Sequence, residues 1–284
     1  MEKIAVVTDT GSNLSFAQAK ELGIYLLPLQ ITIDETTYQD TLEISTQDIY
    51  KELANGKMPK TSMAAYQKIY DLFEELKKDY DTIFAVPLTN GLSTNASTMQ
   101  SIARELEMNV HVIDMYATCA LEKHVAIWIK KLVDEHKSSE EILKIIQPAI
   151  DESNSLILVK NLQHLKRGGR LTPMAAALAG LLKIYPVLHI NKSTEGRIDV
   201  LNKVRTEKRA DAYAIDKIMD DIDIQHTHIY IIHSNFLEGA NHFKKCFIEK
   251  GVPEQNIHID YISSVIAVHT GLGCIAIQYI REEN

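Results

Sequence analysis

The stretch "TIFAVPLTNGLSTNASTMQSIARELE", residues 82–107, decides the fold. It opens with a short apolar run of strand type, "TIFAVPL", and closes with a helical segment, "STMQSIARELE". Between them Thr89, Asn90, Ser93, Thr94, Asn95 and Ser97 crowd around Gly91. Strand, polar glycine turn and helix make one unit of an α/β fold, and in open parallel sheets ligands gather at such strand ends, beside helix N-termini. Helix capping explains one hydroxyl here; the excess points to binding.

Working outward, "IAVVT" (4–8), "IYLLPLQITI" (24–33) and "VHVID" (110–114) read as further strands with amphipathic segments among them, which predicts a parallel sheet covered by helices. Three helix starts carry a capping-box pattern: Ser15 with Gln18, Ser45 with Asp48, and Ser138 with Glu141. Gly56 followed by Pro59 marks a helix stop. The rhythm changes near residue 153. "SLILV" leads into a polar glycine turn, an alanine-rich helix, two adjacent strand-like runs ("YPVLHI" and "RIDVLNKV"), and then helix, strand, helix, strand, ending in the alternating "CIAIQYI". The expected architecture is α/β in two domains, a parallel-sheet N-terminal domain over 1–152 and an α+β C-terminal domain over 153–284. A chain of 284 residues, 45% of them apolar, can fill two such cores.

Composition excludes several classes. A formal net charge of −8 argues against nucleic acid, whose partners carry a basic excess. The start "MEKIAVVTDT" lacks a long apolar segment, and the longest apolar stretch, "MAAALAGLLKIYPVLHI", is interrupted by Lys183 and Pro186. A soluble, cytoplasmic protein without stable membrane insertion is expected. Cys119, Cys246 and Cys274 are odd in number and far apart, so they read as packing residues. The eleven histidines include no HExxH or histidine–cysteine set at metal spacing, so no metal is expected. Neither GxxxxGK[ST] nor GxGxxG occurs.

Other polar segments fall at strand or helix ends. "VVTDTGSN" offers Asp9, Thr10 and Ser12 around Gly11, either as ligand oxygens or as an Asx-type turn. In "MPKTSMAAY", Thr61 and Ser62 sit at a helix start, where capping is the alternative. "LKRGGRL" places Arg167 and Arg170 around Gly168 and Gly169, a tight turn able to present forked donors to a carboxylate or phosphate. Lys203, Arg205, Lys208 and Arg209 cluster in "EGRIDVLNKVRTEKRA", as a solvated face or as a hint of an acidic partner. In "YISSVIAVHTGLGCIAI" (261–277), His269 ends an apolar run just before Thr270, Gly271 and Gly273. "GLSTN" matches GxSxG in part, with Asn95 at the second glycine, so a serine hydrolase using Ser93 and His269 is the alternative enzyme class. A phosphate- or nucleotide-binding α/β enzyme stands third.

Taken in order, "VTDTGSN", "KTSM", "LTNGLSTNAS", "VID", "LKRGGRL", "IYPVLHINKSTEGRIDVLNKVRTEKRA" and "HTGLG" resemble the DegV family of bacterial fatty-acid-binding proteins along essentially the whole chain. The resemblance implies two α/β domains with a lipid slot between them. It implies a long-chain fatty acid as ligand, no cofactor, and no catalytic activity of the chain's own. Such proteins are similar to the carrier subunit of bacterial fatty acid kinase, which presents the bound acid to a separate ATP-dependent kinase subunit for acyl-phosphate formation and phospholipid synthesis. Carried over by position, the carboxylate would be held by Thr61 and Ser62 of "KTSM", Ser93 and Thr94 of "GLST", and His269 of "HTGLG", with Arg170 near the headgroup. Lys203, Arg205, Lys208 and Arg209 would help dock the kinase subunit. The chain departs from the family pattern at three places: Ala64 and Ala65 where a proline is common after the "TS" pair, Thr94 where a glycine follows the serine, and Leu272 where a proline separates the last two glycines. The physics of a long-chain acid agrees, since it needs a dry apolar slot and a few placed polar groups. Burying about a dozen methylenes at about 0.8 kcal/mol each is worth roughly 10 kcal/mol before ordering costs, so the tail dominates affinity and the headgroup contacts orient. "MAAALAGLLKIYPVL" offers small apolar side chains for such a slot, or for ordinary helix packing.

Overall fold

The computed structural model describes residues 2–181 and 183–282. Leu182 of the alanine-rich run, and the chain-end residues 1, 283 and 284 of the two expected domains, lie outside the described residues.

The first strand, β1 (Ile4–Asp9), is buried at every position, as a central strand covered on both faces must be. Helix α1 (Phe16–Leu22) begins with both halves of the Ser15–Gln18 capping box in place. The run 24–33 then departs from expectation. It forms two strands in two sheets, β2 (Tyr25–Leu27) beside β1 and β3 (Gln30–Ile33) elsewhere. Pro28 separates them, because it has no N–H to offer a ladder. Strand β3 pairs antiparallel with β4 (Thr36–Gln39) and, after α2 (Thr46–Ala54), with β5 (Lys60–Ser62). At α2 the Ser45 hydroxyl accepts from the Asp48 amide, but Asp48 is one methylene shorter than the glutamate of a full box and meets the Ser45 hydroxyl instead of its amide. Gly56 follows with a left-handed φ of 81°.

Helix α3 (Tyr66–Leu76), β6 (Thr82–Val86), α4 (Asn95–Glu105), β7 (Asn109–Val112), α5 (Ala120–Asp134) and α6 (Ser139–Glu152) complete the first half, the last with the Ser138–Glu141 box fully formed. The sheet order β2-β1-β6-β7 is parallel throughout. The second half runs β8 (Asn154–Leu158), α7 (Leu162–Gly168), α8 (Pro173–Leu178), β9 (Tyr185–Ile190), β10 (Asp199–Val204), α9 (Glu207–Asp221), β11 (Thr227–His233), α10 (Leu237–Glu249), β12 (Ile257–Tyr261), α11 (Ser264–Thr270) and β13 (Ile275–Arg281). These strands form one mixed sheet in the order β10-β9-β8-β13-β11-β12. The fold is thus α/β with a parallel sheet in one domain and a mixed sheet in the other.

After β10 the sequence predicts four elements and the structure has six; β12 and α11 are the additions. Only Ile262 and Ser263 separate them, so the strand passes into a two-turn helix with no glycine or proline to punctuate the change. Helix α11 is nonetheless central. Val265 and Val268 pack into the core built by β1, β3, α3 and α4, while Ala267 joins the core beneath the mixed sheet. Tyr50 of α2 donates to Ile262 O at 2.7 Å, tying the two domains together just ahead of this helix. Cys119 and Cys274 are buried, and all three cysteines are free. No described helix is long and apolar enough to cross a membrane.

Candidate functional site

The site is organised from the end of β1. Asp9 is fully buried; its Oδ1 accepts from the Gly11 amide at 2.8 Å, and its Oδ2 accepts from the Leu88 amide at 2.9 Å and from Asn95 Nδ2 at 2.6 Å. One carboxylate therefore holds both ends of the 88–95 loop. Glu122 of α5 is buried beside it. Burial raises the pKa of both acids, and Glu122, raised further by the charge of Asp9, is held well above the carboxylate range as the protonated partner. Thr10 accepts from the Leu29 amide at 3.1 Å and Ser12 donates to Asp9 O at 2.7 Å. The oxygens of "VTDTGSN" thus hold the loops, and none of them lines the cleft described next.

On its far side the 88–95 loop rests on the other domain. A Cβ added to Gly91 would collide with the backbone of Gly196, in the turn between β9 and β10, and Gly196 itself has a left-handed φ of 70°. This close backbone approach requires glycine on both sides. It brings Ser93 to the domain boundary. The Ser93 hydroxyl accepts from the Asn95 amide, the first of α4, at 3.2 Å, while Thr94, the residue capping α4, makes no side-chain capping bond.

Opposite stands α11 with His269. Its Nδ1 lies 3.1 Å from Gly168 O and its Nε2 lies 2.7 Å from Thr61 Oγ1. A carbonyl only accepts, so the proton of the neutral ring is on Nδ1, and Nε2 accepts from the Thr61 hydroxyl. Burial, with the nearby Arg170 guanidinium, pulls the His269 pKa down to about 4, so the ring is neutral at pH 7. Gly168 O also receives Arg170 Nη1 at 2.9 Å, and a Cβ at Gly168 would press on His269 at 3.1 Å.

Thr61, Ser62, Ser93, Thr94, Arg170 and His269 all line a single cleft of about 450 Å³. Their side chains are not equally committed to it. Thr61 and Ser62 lie on β5 and not at the start of α3, which begins at Tyr66 without a side-chain cap, and the Ser62 hydroxyl, on the face of the strand opposite Thr61, donates to Gln30 at 2.9 Å. Thr94 is exposed and donates to Met63 Sδ at 3.4 Å. Arg167 is exposed and does not line the cleft. Lys203 on edge strand β10, Arg205 just after it, and Lys208 and Arg209 at the start of α9 stand exposed outside the cleft.

The cleft does not end at its polar groups. Leu92, Ile198, Ile266 and Thr270 line both it and a narrow seam of about 30 Å³ that runs inward between α11 and the mixed sheet. The sheet contributes Ile157, Ile190, Ile232 and Ala276 to that seam, together with Ser155 and Gln278, whose side chains bond each other at 2.9 Å. A second large cavity, about 560 Å³, lies on the opposite face of the same sheet, against Leu158 and Ile275. Leu178, Ala179, Leu181 and Ile184 of the alanine-rich run line this outer cavity and not the seam, because adjacent residues of β8 and β13 face opposite sides. The sequence reading also missed the Gly168 carbonyl. It is a backbone atom 101 residues from His269, and its only trace in the sequence is the glycine pair of "KRGGR".

Fold and site together define a two-domain α/β protein whose cleft is polar at its mouth and apolar within. The sequence model of the DegV family matches residues 3–282, and the chain belongs to that family. It is 31% identical over 289 residues to a DegV domain-containing protein of Halalkalibacterium halodurans, covering 100% of both chains. Among solved structures it is similar to a fatty acid binding DegV family protein from Streptococcus agalactiae, with a TM-score of 0.91 and 29% identity over 100% of each chain. It is also similar to DegV, a fatty acid binding protein from Bacillus subtilis, with a TM-score of 0.86 and 26% identity over 99% of this chain and 100% of that one.

Proposed function

We propose that this protein binds a long-chain fatty acid, with the carboxylate among Ser93, Thr61, His269 and Arg170 and the tail in the apolar seam. The observation that carries the reading is the continuity of the polar cleft with that seam. Ser93 has its lone pair engaged by the Asn95 amide, which leaves its proton for a ligand oxygen. Ser62 and Thr94 complete the rim. The ligand orders α11, the 88–95 loop and the α7–α8 turn about one headgroup, and these span the domain division we set between residues 152 and 153.

The protein acts as a carrier without chemistry of its own, in the cytoplasm, and offers one carboxylate oxygen to an ATP-dependent kinase subunit. Acyl-phosphate formation on that oxygen would feed phospholipid synthesis. Lys203, Arg205, Lys208 and Arg209 form part of the docking face; none of the four pairs with a carboxylate among the described residues, which leaves them free to steer an acidic partner. The serine-hydrolase reading is less well supported. His269 Nε2 is engaged by Thr61 instead of Ser93, and its Nδ1 partner is a backbone carbonyl where a hydrolase places a carboxylate.

Denaturing extraction and mass spectrometry of the purified protein test the reading. Free fatty acid at about one per chain is expected. Ser93→Ala and His269→Ala should keep much of the lipid, losing about 1.5 to 3 kcal/mol of headgroup contact, and should lose more in the rate of acyl-phosphate formation. A covalent adduct of Ser93 with a fluorophosphonate would favour the hydrolase instead.

A further inference from the structure

The hydrogen-bond directions around His269 leave one proton short when a carboxylate arrives. The ring's single proton is committed to Gly168 O through Nδ1, at 3.1 Å, and Nε2 is satisfied only because the Thr61 hydroxyl points its proton there, at 2.7 Å. A threonine hydroxyl has one proton. If Thr61 turns it to the ligand, Nε2 is left as a lone pair facing either nothing or a carboxylate oxygen, and a half-buried acceptor without a donor is costly. Resting on the carboxylate-binding reading of this cleft, we propose that the protein takes up one proton from solvent for each carboxylate it binds, and that this proton sits between His269 Nε2 and the ligand. The balance is simple: neutral imidazole, carboxylate and one solvent proton give a complex with one more proton than its separated components, whichever atom formally owns it.

The surroundings explain why the proton is absent before binding. The groups that act electrostatically on the ring are Arg170, from the turn after α7, and His164, from α7 itself, and both disfavour a positive imidazolium. From β5 the ring meets Thr61, which does not titrate. Asp40, just ahead of α2, is engaged by Ser264 at the other end of α11. Burial adds to the same effect, and the ring is neutral in the free protein. A bound carboxylate supplies the negative charge that this pocket of donors lacks, and so raises the affinity of Nε2 for a proton.

The test is calorimetric titration of the delipidated protein with dodecanoate at pH 7.5, in phosphate and in Tris, whose ionisation enthalpies differ widely. The difference in observed heat should correspond to an uptake of about one proton per ligand, and the Kd should rise about tenfold per pH unit between 6.5 and 8.5. His269→Gln keeps an N–H donor but cannot titrate; it should bind more weakly, with the buffer dependence and the pH slope both lost. Tight binding by the parent protein with equal heats in the two buffers would overturn the inference and leave the fatty-acid reading standing, with Thr61 still bound to Nε2. Absence of dodecanoate binding altogether would overturn that reading and the inference with it.

Discussion

Ala276 is the smallest side chain the mixed sheet contributes to the seam, set in register between Ile157 of β8 and Ile232 of β11, so its replacement by leucine tests directly where an acyl tail lies. The substitution adds three carbons to a seam of about 30 Å³, which is narrow in the lipid-free protein and has to widen to take a tail. In the lipid-free protein this overpacking should cost about 1 to 3 kcal/mol of stability. In the complex the leucine takes the place of about three methylenes of the tail. At about 0.8 kcal/mol each the loss is about 2.4 kcal/mol, or some 50-fold in affinity for a ligand that fills the seam. The effect should depend on chain length. Acids shorter by about three carbons should bind the variant nearly as well as the parent, and longer ones should not. The assay is displacement of a fluorescent fatty acid by a series of saturated acids, with a thermal melt to confirm folding. Ala210→Leu, which fills the outer cavity on the opposite face of the sheet, is the control and should leave the series unchanged. If Ala276→Leu folds and its chain-length profile matches the parent, the tail does not run through the seam; if Ala210→Leu shifts the profile instead, the outer cavity is the lipid site.

Asp40 is buried, and burial raises its pKa from the usual 3.8 to about 6 despite a hydrogen bond from Ser264. The folded state therefore binds the extra proton between about pH 4 and pH 6, and stability falls as pH rises through that window, by at most about 3 kcal/mol. Asp40→Asn should raise the melting temperature more at pH 8 than at pH 4.5, and equal shifts at both would refute the assignment. Gly196→Ala combines a left-handed φ with a collision against Thr89; it should cost about 1 to 3 kcal/mol and lower lipid content by displacing the Ser93 loop, measured by thermal melts and extraction. Reversing Arg205 and Arg209 to glutamate should slow acyl-phosphate formation with a cognate kinase at low salt and leave bound lipid unchanged; an unaltered rate would remove these residues from the docking face.

Much of the protein was legible in its sequence because it is written locally. Hydrophobic runs, glycine turns and capping pairs separate the elements of the first domain, and the Ser15–Gln18 and Ser138–Glu141 boxes form as read because both partners lie within one helical turn. The ordered set of polar segments named the family, and all six residues picked for the headgroup line one cleft. What the sequence could not decide are relations between distant backbones. Pro28 signals a break, but only pairing shows that β2 and β3 belong to different sheets. The "YISSVIAVHT" segment reads as an apolar run until β11 and the first domain's core claim its two ends. The role of His269 turns on the Gly168 carbonyl and the Thr61 hydroxyl, 101 and 208 residues away, which fix where its one proton sits. Likewise the alanine-rich run reads equally as lining for a slot or as helix packing, and only the alternation of β8 and β13 shows that it reaches the outer cavity, on the face of the sheet opposite the seam. Composition determines which side chains can line a cavity, and tertiary packing determines which cavity they reach, because a strand sends neighbouring residues to opposite sides.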